Sequence, residues 1–282
     1  MSRRRNSPAW TSSGEFFNEM DISKAMRGWP FETGQINVRL IQGNDGKLKL
    51  QMRLDLGLLQ MELEGRPDGR RPHRRPTELE YQRSKLAQHT KRVGSDAGFH
   101  LSSADCQALR DESAMFYHRY LSLFVLEQFD AVTRDTQHNL DVLNLCRQYA
   151  RTEADRMVLE QYRPYILMMH SRSKACAALR QGYVQTALAY LRGGIRQIGR
   201  LVPREQRREF LHSSHEAPIL LDMIKQIRSQ LPADPREDLR KRLKVALANE
   251  RFEEAARLRD QLLTITLDKP RKRNPHKARR KA

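Results

Sequence analysis

From Ser102 to Leu231 the chain reads as one helical segment after another, and this run limits the fold more than any other feature. Ser102 and Ser103 are candidate N-caps. DESAMFYHRYLSLFVLE is amphipathic and aromatic-rich through Phe116, Tyr117, Tyr120 and Phe124, and TRDTQHNLDVLNLCRQYA reads as its return helix after a turn at QFDAV. EADRMVLEQYRPYILMMHSRSKACAAL is too long for one helix, and Pro164 predicts a kink or break inside it. A turn at Gly182 precedes a further helix, which Gly193-Gly194 weakens, marking either a close crossing or its end. Pro203 opens a short helix. APILLDMIKQIRSQL follows and stops at Pro232 and Pro235. Three turns, EQFDAV, RQGYVQTA and NERFEEAA, are each followed by small or branched residues and carry an aromatic: Phe129, Tyr183 and Phe252. That is the layout of tetratricopeptide-like arrays, but spacings of 54 and 69 residues are not the regular 34 of true repeats. The expectation is therefore a stack of helical hairpins.

The last of these hairpins is LRKRLKVALANERFEEAARLRDQLLTI, residues 239–265. Leu239, Leu243, Ala246 and Leu247 make one helical face; Phe252, Ala255, Ala256, Leu262 and Leu263 make a second beyond the break at Asn249-Glu250-Arg251. Ala255 and Ala256 let two backbones approach closely. Leu258 and Ile265 widen the apolar stripe beyond what one short helix covers, so the surplus should face another domain or another protein. The string L-x3-L-x2-A-L-x2-E-x-F-E-x-A-A-x-L-R-D, with Leu243, Ala246, Glu250, Phe252, Glu253, Ala255, Ala256, Leu258, Arg259 and Asp260, resembles the UVR motif. That motif is the C-terminal hairpin of the repair helicase UvrB and a matching segment of the nuclease UvrC. It also occurs in the Clp-associated regulator McsA and in some Clp ATPases. The resemblance covers about a tenth of the chain and implies a protein–protein contact module rather than a catalyst. The middle of the chain is also similar to a family of uncharacterised bacterial proteins that carry this motif at the C-terminus, which implies no activity. The candidate partner-binding residues are Leu243, Ala246, Leu247, Phe252, Ala255, Ala256, Leu258 and Leu262.

Ahead of the helices the hydrophobic period changes to two. GQINVRLI, KLKLQMRLDL and LLQMELEG alternate through Ile36, Val38, Leu40, Leu48, Leu50, Met52 and Leu54, with turn signals at GNDG and RPDG. This predicts a three-stranded antiparallel meander with one apolar face, which needs cover from the helices or a partner. Arg39, Lys47, Lys49 and Arg53 alternate with the apolar set and line the opposite face, but these strands have no aromatics for base stacking. The loop RPDGRRPHRRPT follows with five arginines. Residues 78–100 begin as helix and decay into a Gly- and Ser-containing stretch that reads as a soft boundary.

The formal charge is +18, and residues 1–268 still carry +10 without the eight Lys and Arg that follow. A surplus of that size suggests a polyanion nearby, although solubility alone also explains it. The candidate nucleic-acid contacts are Arg70, Arg71, Arg74 and Arg75 in the loop, and Arg271, Lys272, Arg273, Arg279, Arg280 and Lys281 in the tail. Arg3, Arg4 and Arg5 start a polar arm in which Trp10, Phe16 and Phe17 are unusual and could anchor it on the folded body. Cys106, Cys146 and Cys176 are far apart and read as small buried residues in a reducing compartment. No signal-peptide pattern and no membrane-spanning run is present, so a cytoplasmic protein is expected.

Little in the sequence points to catalysis. Asp135 and His138, at i and i+3 near Glu153 and Asp155, invite a metal site, but a bundle di-metal centre wants a second copy of the pair; a surface or capping role for Asp135 fits better. No phosphate-binding G-x-x-x-x-G-K-[ST] loop and no paired C-x-x-C occurs. Tyr162, Arg163, Tyr165, Met168 and Met169 form a dense stretch that reads best as hairpin core. The expectation is a mainly α protein of stacked hairpins with a basic arm at 1–20, a β-meander and Arg-rich loop at 21–77, a helix and linker at 78–101, a hairpin domain at 102–232, a UVR-like hairpin at 235–267 and a basic tail at 268–282. It would act as a non-catalytic adaptor without cofactor or metal, with UvrB, UvrC or a Clp ATPase as partner. The competing expectation is an RNA- or ribosome-binding protein that works through its basic segments.

Overall fold

A computed structural model describes residues 21–231 and 235–267. It is mainly helical, with a small antiparallel sheet near the N-terminus and a helix pair at the C-terminal end. The chain divides into two units, Met1–Leu221 and Asp222–Ala282.

In the first unit, α1 (Ser23–Met26) precedes the meander β1 (Val38–Gln42), β2 (Leu48–Arg53) and β3 (Leu58–Glu62), in order β1-β2-β3. The register places Leu40, Leu50 and Met61 side by side on one face. Leu50 and Met61 are buried, while Leu40 and Leu48 stay exposed, so the cover over the apolar face is partial. The opposite face is not an open cationic platform. Lys49 is buried and held by Asp45 and Glu62; Gln51 accepts from Arg39 at 2.8 Å and donates to Gln60 at 2.9 Å. The segment before β1 supplies the cover: the Arg39 guanidinium lies 4.0 Å over the Trp29 ring, and Arg53 donates to the Trp29 carbonyl. Cations spent on internal partners leave little for a polyanion.

The helical body is built from α2 (Glu78–Val93), α3 (Ser103–Val125), α4 (Phe129–Tyr149), α5 (Glu153–Met157), α6 (Arg163–Arg180), α7 (Val184–Gly199), α8 (Arg207–Ser213) and the start of α9 (Glu216–Ser229), whose residues from Asp222 on belong to the second unit. Ser102 caps α3 in a full capping box with Asp105. The break foreseen at Pro164 is real, because α6 starts at Arg163 with the proline in its first turn. At Gly193-Gly194 the helix runs on. A Cβ on Gly194 would fall 2.3 Å from the Ser171 Oγ, so the glycine permits a close crossing of α6 and α7 rather than ending α7. Of the cysteines, Cys106 and Cys146 are buried together in one apolar cluster, and Cys176 is half-buried.

The hairpin turns are alike in backbone as well as in residue pattern. Glu127, Gly182 and Glu250 each adopt left-handed φ, near +56°, +75° and +57°. One residue later, the amides of Gln128, Tyr183 and Arg251 donate back five positions to the carbonyls of Leu123, Ala178 and Ala246, at 2.9, 2.8 and 2.8 Å. This is the Schellman arrangement that closes a helix C-terminus. Four residues further on come Val132, Ala187 and Ala255, each buried, as is the acceptor residue of its own turn. The aromatic alignment of the sequence reading is off by one position: Tyr183 matches Gln128 and Arg251, and Val184 is the counterpart of Phe129 and Phe252. Phe129 accordingly begins α4 rather than sitting in a loop. The two body hairpins, α3/α4 and α6/α7, meet where Arg180 donates to the Glu127 carbonyl at 2.7 Å and stacks 4.7 Å from Phe129.

Sheet and helices are locked together from inside. Arg119 and Asp135 are both wholly buried and form a two-pronged pair, Nε to Oδ2 at 2.6 Å and Nη2 to Oδ1 at 2.8 Å. The remaining Arg119 nitrogen, Nη1, donates to the carbonyls of Glu62 and Gly65, where the sheet ends. Asp135 is therefore neither a surface nor a capping residue, and the residues 94–100 bend within one unit. A second buried carboxylate, Glu112, accepts from the amides of Glu78 and Leu79 and so caps α2 from a neighbouring helix. His138 lies 3.1 Å from Glu112 and stacks on Phe116 at 3.7 Å.

Two outcomes follow from these groups. Arg119→Ala strands Asp135 in the core and should cost about 3–5 kcal/mol, read by urea denaturation. Burial alone would raise the Glu112 carboxyl, but His138 and the two amides outweigh it and hold it below the ordinary range. A carboxyl depressed in the folded state adds stability above its unfolded pKa, about 4.3, and loses it as pH falls through the folded value. Glu112→Gln should thus be less stable than wild type at pH 7, with the difference shrinking below about pH 4 in thermal melts.

Candidate interaction sites

The second unit holds α10 (Pro235–Ala248) and α11 (Phe252–Leu267), which pack as a hairpin. Its interior is small: Ala246, Ala255 and Leu258 are buried, with Leu239 and Leu243 partly buried against them. Ala246 and Ala255 face each other across the turn, and their short side chains allow the helices to meet just after it. The closing pair is thus Ala246 with Ala255, whereas Ala256 is exposed.

This divides the predicted partner-binding residues in two. Ala246, Ala255, Leu258 and in part Leu243 hold the hairpin together and have little surface left for another molecule. Leu262 is half-buried. Phe252 is 67% exposed and Leu247 52%, although both are large apolar side chains that a hairpin would bury if it had the partner surface. Phe252, Ala256 and Leu263 share one stripe of α11 at helical spacing, set round the helix from the interior stripe of Ala255, Leu258 and Leu262. Leu263 and Val245, at 57% and 58% exposed, add to this outer surface. The sequence names Leu263 only as part of an apolar face and does not single out Val245. Its signal is a branched apolar residue standing among charged ones on the polar side of α10.

The second candidate is the arginine loop. Arg70, Arg71, Arg74 and Arg75 are all exposed, and among the described residues none of them has an ion pair. The loop has a defined shape. His73 and Arg74 both take left-handed φ, and His73 stacks on Tyr81 at 3.8 Å. Arg66, the fifth arginine, turns inward toward Asp68 and Glu112. The candidates Arg271, Lys272, Arg273, Arg279, Arg280 and Lys281 lie outside the described residues, as do Arg3 to Arg5, Trp10, Phe16 and Phe17.

The acidic groups and the histidine considered in the sequence as a metal site all have internal partners. Asp135 is held by Arg119, His138 sits on Glu112, Asp155 is paired with Arg110 at 2.9 Å, and Glu153 lies on Arg156. Among the described residues no group of three His, Cys, Asp or Glu could hold a metal ion, and no helix is long and apolar enough to cross a membrane.

Residues 236–265 match the family model of the UvrB/uvrC motif, the span of the α10/α11 hairpin. No curated protein and no solved structure matches the chain. The hairpin is therefore a UVR motif, and it carries the same turn as the body hairpins.

Glu250 offers a direct check on that turn. A non-glycine residue at left-handed φ is strained, and glycine there is not. Glu250→Gly should raise the stability of the hairpin by about 0.5–1 kcal/mol, read as a later unfolding transition in circular dichroism.

Proposed function

We propose that the chain is a non-catalytic adaptor that docks through its C-terminal hairpin on the UVR-like hairpin of a partner protein. The observation that carries this reading is the UVR motif at 236–265, whose interior is closed by Ala246, Ala255 and Leu258 while Phe252, Leu247 and Leu263 remain exposed. Apolar side chains of that size, left outside a hairpin too small to bury them, gain most from a second apolar surface. A UVR-bearing partner is UvrB or UvrC, which places the adaptor in nucleotide excision repair, or a Clp ATPase, which places it in the stress response. The helical body supplies the adaptor's second surface, and the chain works in the cytoplasm.

One further observation favours a second reading. Four unpaired, exposed arginines on the shaped 70–75 loop form a phosphate-binding surface that the adaptor reading does not use. On this reading the protein binds RNA or the ribosome through its basic segments, and the hairpin is a packing element.

A pull-down from nuclease-treated host lysate separates the two. Phe252→Asp places a charge on the outer stripe and leaves the interior residues in place. The adaptor reading expects a UVR-bearing protein with wild type, lost with Phe252→Asp while circular dichroism is unchanged. A catch that is the same for both forms, or that disappears with nuclease, overturns it. The second reading instead expects that removing residues 269–282, or changing the four loop arginines to alanine, flattens the salt dependence of RNA binding.

A further inference from the structure

A cleft of about 570 Å³ opens in the first unit between α3, α4 and the residues that lead into α6, with Glu216 of α9 on its edge. Four tyrosines line it. Tyr120 is wholly buried at its floor, Tyr117 and Tyr162 are exposed at its mouth, and Tyr165 stands between. The Tyr117 ring meets Tyr120 edge-on at 5.5 Å and lies 6.3 Å from Tyr165, so the rings turn toward one another as a box. The stretch that reads in sequence as plain hairpin core thus divides: Met168 and Met169 are buried in the core, and Tyr162 and Tyr165 line the cleft.

Two polar atoms inside are unsatisfied. Asn139 is 2% exposed, and its amide nitrogen donates to the Ser113 carbonyl at 3.0 Å. That bond fixes the other end of the amide, so Oδ1 is a buried acceptor without a donor. Ser113, 6% exposed, has a buried Oγ that is also without a partner. A buried polar atom left unpaired costs about 1–3 kcal/mol, and two beside one cleft mark where a ligand would bond. The charges around the cleft have a sign. Arg110 is neutralised by Asp155 at 2.9 Å and held by Gln107 at 2.7 Å, whereas the Glu216 carboxylate has no ion pair among the described residues. Its place in the first turn of α9 is favourable for a carboxylate in any case, but leaves its oxygens available.

We infer that this cleft binds a guanidinium group, stacked among the tyrosine faces and donating to Asn139 Oδ1, Ser113 Oγ and the Glu216 carboxylate. The unpaired groups are a carboxylate, an amide oxygen and a hydroxyl, and a guanidinium offers five N–H donors in a plane. Aromatic faces attract a cation most where water is excluded, as at Tyr120 and Tyr165. A neutral planar base could use the stack and Asn139, but would leave Glu216 uncompensated. The same chemistry comes from a free small molecule or from an arginine side chain of a peptide. The inference is independent of the C-terminal hairpin, which contributes no residue to the cleft.

Isothermal titration of the full-length protein tests it, with agmatine, an end-blocked Gly-Arg-Gly peptide and adenine as probes. The expected result is saturable one-to-one binding of at least one guanidinium probe, weakened about tenfold by Glu216→Gln and several-fold by Tyr162→Ala. Tyr162 is exposed and Glu216 half-buried without an ion pair among the described residues, so each variant is expected to keep its fold, which circular dichroism checks. Whichever guanidinium probe binds more tightly identifies the source. Absence of binding by both, or adenine binding that exceeds theirs and ignores Glu216→Gln, overturns the inference.

Discussion

Arg119 uses every face it has. It is pinned to Asp135 by two charge-assisted bonds, lies over the Phe116 ring at 4.6 Å, and donates to two carbonyls where the sheet ends. Two full charges with no exposure are costly to desolvate, and only near-complete bonding offsets that cost. The consequence is geometric. α3, α4 and the end of β3 cannot shift relative to one another without breaking a buried bond, so the meander, too small to stand alone, is fixed to the helical body. Arg134 repeats the link from outside, reaching Asp135, Glu64 and the Leu63 carbonyl.

Around that anchor the chain reuses one device. A left-handed residue, a back-bonded amide one position on, and a buried pair nine residues apart close the turns at 123–132, 178–187 and 246–255. The residues filling the pair are not the same at all three turns. Leu123 and Val132 fill it at α3/α4, whereas two alanines fill it both at α6/α7, Ala178 with Ala187, and in the C-terminal hairpin, Ala246 with Ala255. The UVR motif thus uses a turn found twice elsewhere in the same chain, on an interior of only three buried residues.

That leanness gives the hairpin its functional character. With only Ala246, Ala255, Leu258 and two partly buried leucines inside, its apolar residues outnumber the places available to bury them. The exposed stripe of Phe252, Ala256 and Leu263 is that excess. The arginine loop is a different kind of surface, where strained backbone at His73 and Arg74 and a ring stack on Tyr81 hold four cations outward.

Local pattern determined much of this in the sequence. Period-two alternation set the meander, Pro164 set the break before α6, Ser102 set the start of α3, and the UVR string set the last hairpin. These depend on backbone chemistry within a few residues, which a sequence displays directly. What lies on which side of a packed surface was decided by tertiary structure. Ala255 and Ala256 are adjacent and identical, yet one closes the hairpin and the other faces out, because 100° of helical rotation separates them. Asp135 reads as a surface acid until Arg119, sixteen residues away, supplies its partner. Lys49 and Arg39 read as an open cationic face until Trp29 and Glu62 occupy it, and Tyr162 and Tyr165 read as core until three helical elements leave a cleft beside them. In the last three cases the deciding neighbour lies on another element of the chain, and only folding brings it near.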